Sequence, residues 1–371
     1  MLEHIRGPKR SSLAVNLLSF LQENLPVRTR GVARLFLEIA RHLDSERERE
    51  RYEQELAWWI GVDEAQEFSK YLHKAVRGGR LEPFVIFNEV ERNWRIRWPP
   101  YKSLAILDAL AADDPEAPML PIGLLGRFYW LRASLRHDYA LYAEALDDAS
   151  FGLRVSEGQP LAEASLHEIL GLLKMRIGNY KEALHHFNRT RVMRERELGR
   201  DHPDVATILS NLGSLYCTQG KYAEADPLYQ RALGIREKAL GPEHPDVAQS
   251  LNNLAELYRA QGKYAQAEPL YQRALEIREK ALGPEHPDVA QSPNNLARLY
   301  YAQGKYAEAE PLFQRALGIR EKALGPEHPD VAQALENYAL LLRQTGRESQ
   351  AAEMEARAKA IRARHPSQRP S

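Results

Sequence analysis

Apolar residues in the C-terminal half of the chain recur at helical spacing, and the pattern restarts after each short turn. After His244, apolar side chains three or four residues apart predict an amphipathic helix. A second apolar run follows the turn at Gly262 and ends before Gly283, a typical C-cap residue. Neither helix can bury its apolar stripe alone, so we predict that helix pairs stack on one another. The two stripes are Val247, Leu251, Leu254, Leu257 and Tyr258, then Ala267, Leu270, Tyr271, Ala274, Leu275 and Ile277.

The helix pair returns at a constant interval. The segment His-Pro-Asp-Val-Ala begins at His202, His244, His286 and His328, so successive copies lie 42 residues apart. A period of this length is typical of stacked supersecondary units. Residues 178–183 match residues 220–225 one period earlier, and a fainter pair covers residues 124–135 and 139–153. We therefore predict an all-α solenoid of about six helix pairs over residues 120–364, followed by a disordered tail at 365–371.

One residue departs from the repeated pattern. Pro293 stands where the other copies have Leu209, Leu251 and Leu335. Inside a helix, proline costs about 3 kcal/mol, because it lacks an N–H and its ring clashes with the preceding turn. We expect either a kink in this helix or a helix start displaced towards Pro293.

These residues resemble the tetratricopeptide repeat, in the 42-residue form of kinesin light chains and many bacterial proteins. The family pattern is a large apolar residue followed by Leu-Ala/Gly, Tyr, Gly, Ala, an aromatic residue and Ala. The resemblance implies a right-handed superhelix whose first helices line a concave groove that binds proteins or peptides. The matching residues are Leu251, Leu254, Ala255, Tyr258, Gly262, Ala267, Tyr271 and Ala274.

The copies vary most on the face of the first helix that would line this groove. Two near-identical copies differ at only six positions, among them Glu256/Arg298 and Arg259/Tyr301. By contrast, an asparagine is constant on the same helix, and in peptide-binding members of the family an asparagine here holds the ligand backbone. The arginines would favour acidic partners. The predicted groove residues are Asn211, Asn253, Asn295, Asn337, Asn252, Asn294, Glu256, Arg259, Arg298, Tyr301 and Arg343.

A plainer interpretation of the groove residues stays open. A surface position varies when nothing constrains it, and an asparagine is constant when the whole copy was recently duplicated. The repeated histidines allow a similar choice. The copies would place them too far apart for one zinc ion, so we predict that they lie at helix starts and that the chain has no metal site.

The N-terminal third carries no repeats. We predict an N-terminal helix and linker over residues 1–28, a winged-helix-like domain with a β-hairpin over 29–100 and a linker over 101–119. The layout resembles the winged helix that precedes such repeats in STAND-type signalling proteins. Acidic residues interleave with its basic ones, so a protein contact is favoured over DNA. The candidate DNA-binding residues are Lys70, His73, Lys74, Arg77 and Arg95.

Composition narrows the classes of function. The chain of 371 residues has 51 basic and 51 acidic side chains and one cysteine, Cys217, so neither a global nucleic-acid or membrane attraction nor a disulfide framework is expected. The motifs of P-loop enzymes, nucleophile-elbow hydrolases and zinc proteases are missing from the sequence. We predict a cytoplasmic, non-catalytic scaffold without cofactor that binds a protein or peptide, in a setting such as bacterial signalling or defence. The alternative is a DNA-binding transcriptional regulator with a partner-sensing repeat domain.

Overall fold

The computed structural model of the protein describes residues 122–364, together with Leu104, Leu107, Asp108 and Leu120. The predicted N-terminal helix, the winged helix with its hairpin and the tail at 365–371 lie outside the described residues. So do the candidate DNA-binding residues Lys70, His73, Lys74, Arg77 and Arg95. These assignments stay predictions.

Twelve α-helices follow one another in the described part of the chain, as the helical spacing predicts. From α3 onward they form pairs, and the first helices of successive pairs also touch one another. The chain divides into two compact units, residues 1–135 and 136–371, and the second holds every helix from α2 onward. The helices are α1 Ile122–Asp138, α2 Tyr142–Val155, α3 Pro160–Arg176, α4 Tyr180–Leu198, α5 Pro203–Thr218, α6 Tyr222–Leu240, α7 Pro245–Ala260, α8 Tyr264–Leu282, α9 Gln291–Ala302, α10 Tyr306–Leu324, α11 Pro329–Gln344 and α12 Glu348–Arg364.

The repeated histidines cap helix starts. In each of the four copies the imidazole Nδ1 accepts a hydrogen bond from the backbone N–H of the aspartate two residues later, at 3.1–3.2 Å. The proline between them occupies the first helical position, where its missing N–H has no cost. The aspartate carboxylate complements the positive end of the helix dipole. The predicted position of these histidines at helix starts is therefore confirmed.

Each repeat has a small core between its two helices. In the α7–α8 repeat, Val247, Ala248 and Leu251 of the first helix pack against Ala274 and Ile277 of the second. Leu233 of the preceding second helix packs against the same cluster, so each core also joins neighbouring repeats. Equivalent clusters recur along the array, which explains why the sequence pattern has a constant period.

The repeat that contains Pro293 begins differently. Residues Pro287–Ala290 form a 3₁₀ turn, and helix α9 starts only at Gln291, so Pro293 is its third residue. Of the two expected outcomes, the displaced start is the one observed. Proline has no N–H to donate to the carbonyl of Val289, and a shorter α-helix avoids needing that bond.

Candidate protein-binding face

Three variable positions of the first helices meet in one cluster, centred on Glu256 of α7. Arg259 donates to both carboxylate oxygens of Glu256, with Nε 3.0 Å from Oε2. The hydroxyl of Tyr271, from the core of the same repeat, donates to Oε2 at 2.7 Å. Arg298, one repeat further, places Nη2 3.6 Å from Oε1. The structure thus brings together three of the predicted groove residues, Glu256, Arg259 and Arg298, and adds Tyr271.

The charged groups of this cluster shift the pKa values of Glu256 and Tyr271. Burial raises the pKa of Glu256, but the hydrogen bonds from Arg259 and Tyr271 and the nearby Arg298 charge lower it more, so the pKa lies below its ordinary value. Burial, followed by the negative charge of Glu256, raises the pKa of Tyr271. The four side chains contain two guanidinium groups and one carboxylate, so the cluster keeps one excess positive charge at neutral pH.

The remaining variable positions are apolar, small or separately paired. Tyr301 packs its ring 5.6 Å from that of Tyr306. Leu340 is 54% exposed, unusual for a leucine on a helix of this array. Arg343 donates to Glu355 of α12 at 2.7 Å, so its charge is matched. On α5 the corresponding residue is Cys217, a half-buried thiol whose pKa is raised by burial. Each repeat thus presents different chemistry on the same face, which we call the first-helix face.

Most of the constant asparagines bond to the neighbouring repeat. The side-chain nitrogen of Asn337 donates to Asn294 Oδ1 at 2.9 Å, and that of Asn295 donates to Asn252 Oδ1 at 3.4 Å. The acceptors Asn252 and Asn294 are buried. In the same way, Asn211 donates to Glu168 at 2.8 Å. These bonds join successive first helices, so the amide nitrogens serve the stacking of repeats.

Asn253 differs from the other three. Its side-chain oxygen accepts from Gln249 at 3.0 Å, and among the described residues its nitrogen has no hydrogen-bond partner. The position that would receive it is Ser210, whose hydroxyl donates to the carbonyl of Ala206 at 2.9 Å. Asn253 is therefore the constant asparagine whose side-chain nitrogen makes no bond to the neighbouring repeat, so both of its N–H donors can serve a ligand.

Sequence reasoning missed an arginine that also recurs every 42 residues, buried at Arg194, Arg236 and Arg278 and partly buried at Arg320 and Arg362. In the array interior its guanidinium bonds the backbone carbonyl of the residue ten positions later, at the start of the next first helix. The last one, Arg362, instead pairs with Glu336 of its own repeat. The arginine itself, in an Ile-Arg-Glu sequence in the three central copies, was the available signal, but such a residue resembles an ordinary solvated charge. The series is Arg194, Arg236, Arg278, Arg320 and Arg362.

Charges on the second helices are also paired across repeats. An arginine of each second helix lies within ion-pair distance of a glutamate on the preceding second helix. These pairs repeat without variation, in contrast to the first-helix face. They are Arg231–Glu195, Arg273–Glu237, Arg315–Glu279 and Arg357–Glu321.

Comparison with solved structures relates this arrangement to known helical arrays. The crystal structure of BtubC (BKLC) from P. vanneervenii is 28% identical, with a TM-score of 0.50, and the match covers 64% of this chain and 94% of that one. A Podosopora anserina protein described as a kinesin light chain with nearly identical TPR-like repeats is 29% identical over 57% of this chain and all of that one, with a TM-score of 0.46. Apo RapI is 16% identical, with a TM-score of 0.57, over 77% of this chain and 99% of that one, a likeness of fold alone.

Sequence comparison gives the family. No match was found among curated proteins. In the described part of the chain no helix is long and apolar enough to cross a membrane. The family model described as tetratricopeptide repeat matches four overlapping segments, residues 161–238, 204–280, 246–322 and 288–364, which together span more than half of the chain. The chain therefore belongs to the tetratricopeptide repeat family.

Proposed function

We propose that the protein is a non-catalytic scaffold that binds a protein or peptide segment along its first-helix face. One observation carries this proposal. The two most similar repeats differ at six positions, and three of these, Glu256/Arg298, Arg259/Tyr301 and Tyr271/Phe313, belong to the cluster centred on Glu256. The tyrosine hydroxyl is present in the repeat that has the carboxylate and missing in the repeat that lacks it. Three changes within one cluster that reaches the first-helix face support a ligand at that face.

The charge of the cluster favours an acidic partner segment. Arg259 is held by a bidentate pair with Glu256, and Arg343 is matched by Glu355. Arg298 reaches Glu256 only at 3.6 Å and is 40% exposed, so its guanidinium can accept a second carboxylate. The donor of Asn253 would hold the backbone of the same segment. An extended segment or a helix along the groove fits this pattern.

The setting in bacterial signalling or defence is part of the same proposal. It rests on the predicted winged helix ahead of the repeats, a layout similar to that of STAND-type proteins. Within this setting, the winged helix would contact protein rather than DNA.

The test begins with affinity purification and mass spectrometry, followed by anisotropy titrations with labelled segments of each captured partner. Arg298→Ala is expected to weaken binding by roughly 10- to 30-fold, the effect of losing a central charged contact. Arg273→Ala removes the same charge from a second helix and is the matched control, with unchanged affinity expected. Equal affinity of the Arg298→Ala variant and the wild type for every captured segment would refute the assignment of this face.

A further inference from the structure

Two histidines in the α3–α4 repeat occupy positions that are leucines in other repeats. In the α5–α6 repeat, Leu228 packs against the cluster that contains Leu209. Moving back 42 residues from these two positions leads to His167 on α3 and His186 on α4. Both members of an apolar contact have therefore been replaced by imidazoles. A single drifting position would leave an unpaired histidine against leucine, whereas this change is matched.

The two imidazoles face each other directly. Their Nδ1 atoms lie 2.9 Å apart, and the ring centroids are separated by 5.1 Å with an angle of 36° between the planes. Without a metal, one Nδ1–H donates to the other nitrogen. Both side chains are only partly buried, so the pair is reachable from solvent. His185 neighbours the pair, with its ring centroid 5.5 Å from that of His186.

We propose that His167 and His186 form a binding site for a divalent transition metal ion, with Cu²⁺ as the best fit. Two nitrogens each about 2.0–2.1 Å from one metal ion, at a right angle, are themselves roughly 2.9 Å apart. The Nδ1–Nδ1 distance equals that of cis ligands on a square-planar or octahedral ion, the preference of Cu²⁺ and Ni²⁺. Because the ring centroids are 5.1 Å apart, the nitrogens point almost directly at each other, so both imidazoles must turn by roughly 30° to face one ion. For tetrahedral Zn²⁺ the pair would have to open to about 3.3 Å. On metal binding the proton on Nδ1 of the donor ring moves to Nε2 of the same ring, so both imidazoles stay neutral ligands.

The surroundings decide which ions are expected. Among the described residues no group of three or more His, Cys, Asp or Glu side chains is placed to hold a metal ion. Water therefore supplies the remaining ligands, and binding is expected to be reversible. Lys174 and Arg189 place positive charge near the imidazoles, and Glu182, which pairs with Lys174 at 2.6 Å, offsets only part of it. The remaining positive charge opposes every cation, so only ions with strong nitrogen affinity are expected to bind, and Mg²⁺ and Ca²⁺ are not.

The proposed site departs from the sequence prediction that the chain has no metal site. That prediction considered the histidines at the repeated helix starts, which cap helices and are not involved here. The pair is visible only when the α3–α4 repeat is aligned with its neighbours, because His167 and His186 are 19 residues apart in sequence.

The full chain is titrated with CuCl₂ in an isothermal titration calorimeter, which gives the affinity and the number of sites. Electron paramagnetic resonance of the Cu²⁺ complex then counts the nitrogen ligands. We expect one site with two imidazole nitrogens and a rise in melting temperature that EDTA reverses. The His167→Leu/His186→Leu variant restores the leucine pair of the α5–α6 and α7–α8 repeats, so it should fold and lose Cu²⁺ affinity by at least about tenfold. His185→Ala, the matched surface control, should retain binding.

Three outcomes would overturn the proposal. The first is that the wild-type protein, at about micromolar concentration, binds no Cu²⁺ when Cu²⁺ is in roughly 100-fold molar excess. A reversible site with two imidazole ligands would be occupied at that Cu²⁺ concentration. The second is a double-leucine variant that binds as the wild type does. The third is loss of binding in His185→Ala alone. None of these results touches the proposed function, because the pair lies in the α3–α4 interface and the ligand assay reads the first-helix face.

Discussion

Replacing Pro293 with leucine should turn the interrupted start of the α9–α10 repeat into a continuous helix. The α7–α8 repeat differs from it at only six positions and has Leu251 at the same place, fully buried. In the Pro293→Leu variant we expect the α-helix to begin at Pro287, as α7 begins at Pro245. The 3₁₀ turn should disappear.

The magnitude follows from what proline removes. A proline inside a helix costs about 3 kcal/mol through its missing N–H and its ring clash. Part of this cost is already relieved, because the helix starts at Gln291 instead. We therefore expect the free energy of unfolding to rise by roughly 2 kcal/mol. For a fold of this size that raises the melting temperature by roughly 4–8 °C.

The measurement combines differential scanning calorimetry with hydrogen exchange of the amides around Val289. Exchange should slow there first, because these amides gain helical partners. The matched control is Leu251→Pro, which should displace the start of α7 and lower the melting temperature. An unchanged or lower melting temperature for Pro293→Leu would refute the reasoning, since it would mean that proline is neutral or favourable at this position.

Three further predictions concern stability. Ala140 has a φ of 58°, a left-handed conformation that glycine occupies at the equivalent turns of the other repeats. Ala140→Gly should therefore raise the free energy of unfolding by about 1 kcal/mol, measured by urea denaturation. A lower free energy of unfolding would contradict this prediction. Asn337→Ala leaves the buried Asn294 without its hydrogen-bond donor and should lower the free energy of unfolding by about 1 kcal/mol. Asn253→Ala should leave the free energy of unfolding unchanged. Equal losses in the two variants would show that both amides stabilise the stack of repeats. The lowered pKa of Glu256 means that its carboxylate stabilises the fold above the ordinary value of 4.5, and that this is lost as the pH falls through the lowered value. Glu256→Gln should therefore flatten the acid limb of the stability curve, and an unchanged limb would exclude that contribution.

The sequence was sufficient to predict the helices, because a constant period and capping residues act locally. It was less informative about the asparagines. Constancy at Asn295 and Asn337 is equally expected for a ligand contact and for a bond between repeats, and only the fold shows that their donors reach Asn252 and Asn294. The outcome of Pro293 was open for a similar reason, since a kink and a late start both avoid the hydrogen bond that proline cannot donate.

The cluster around Glu256 could not be predicted in full from the sequence, for a different reason. Tyr271 lies on the second helix, in a position that looks like core, and its core ring extends a hydroxyl to the first-helix face. The buried arginine series was visible as a repeated residue, but its partner is a backbone carbonyl, which leaves no trace in the pattern of side chains.

The bonds between repeats have a consequence for how such a chain changes length. Arginines of the second helices reach the carbonyl ten residues on, and others reach the glutamate 36 residues back, so every link joins immediate neighbours. Duplication of whole 42-residue segments recreates each of these links at the new junctions, whereas an insertion within a repeat that is not a whole multiple of 42 residues shifts the linked residues out of register. The last repeat carries Lys359 where the interior ones have Leu275 and Leu317, and a charged side chain there ends the series. Array length is thus free to evolve in whole segments between fixed ends.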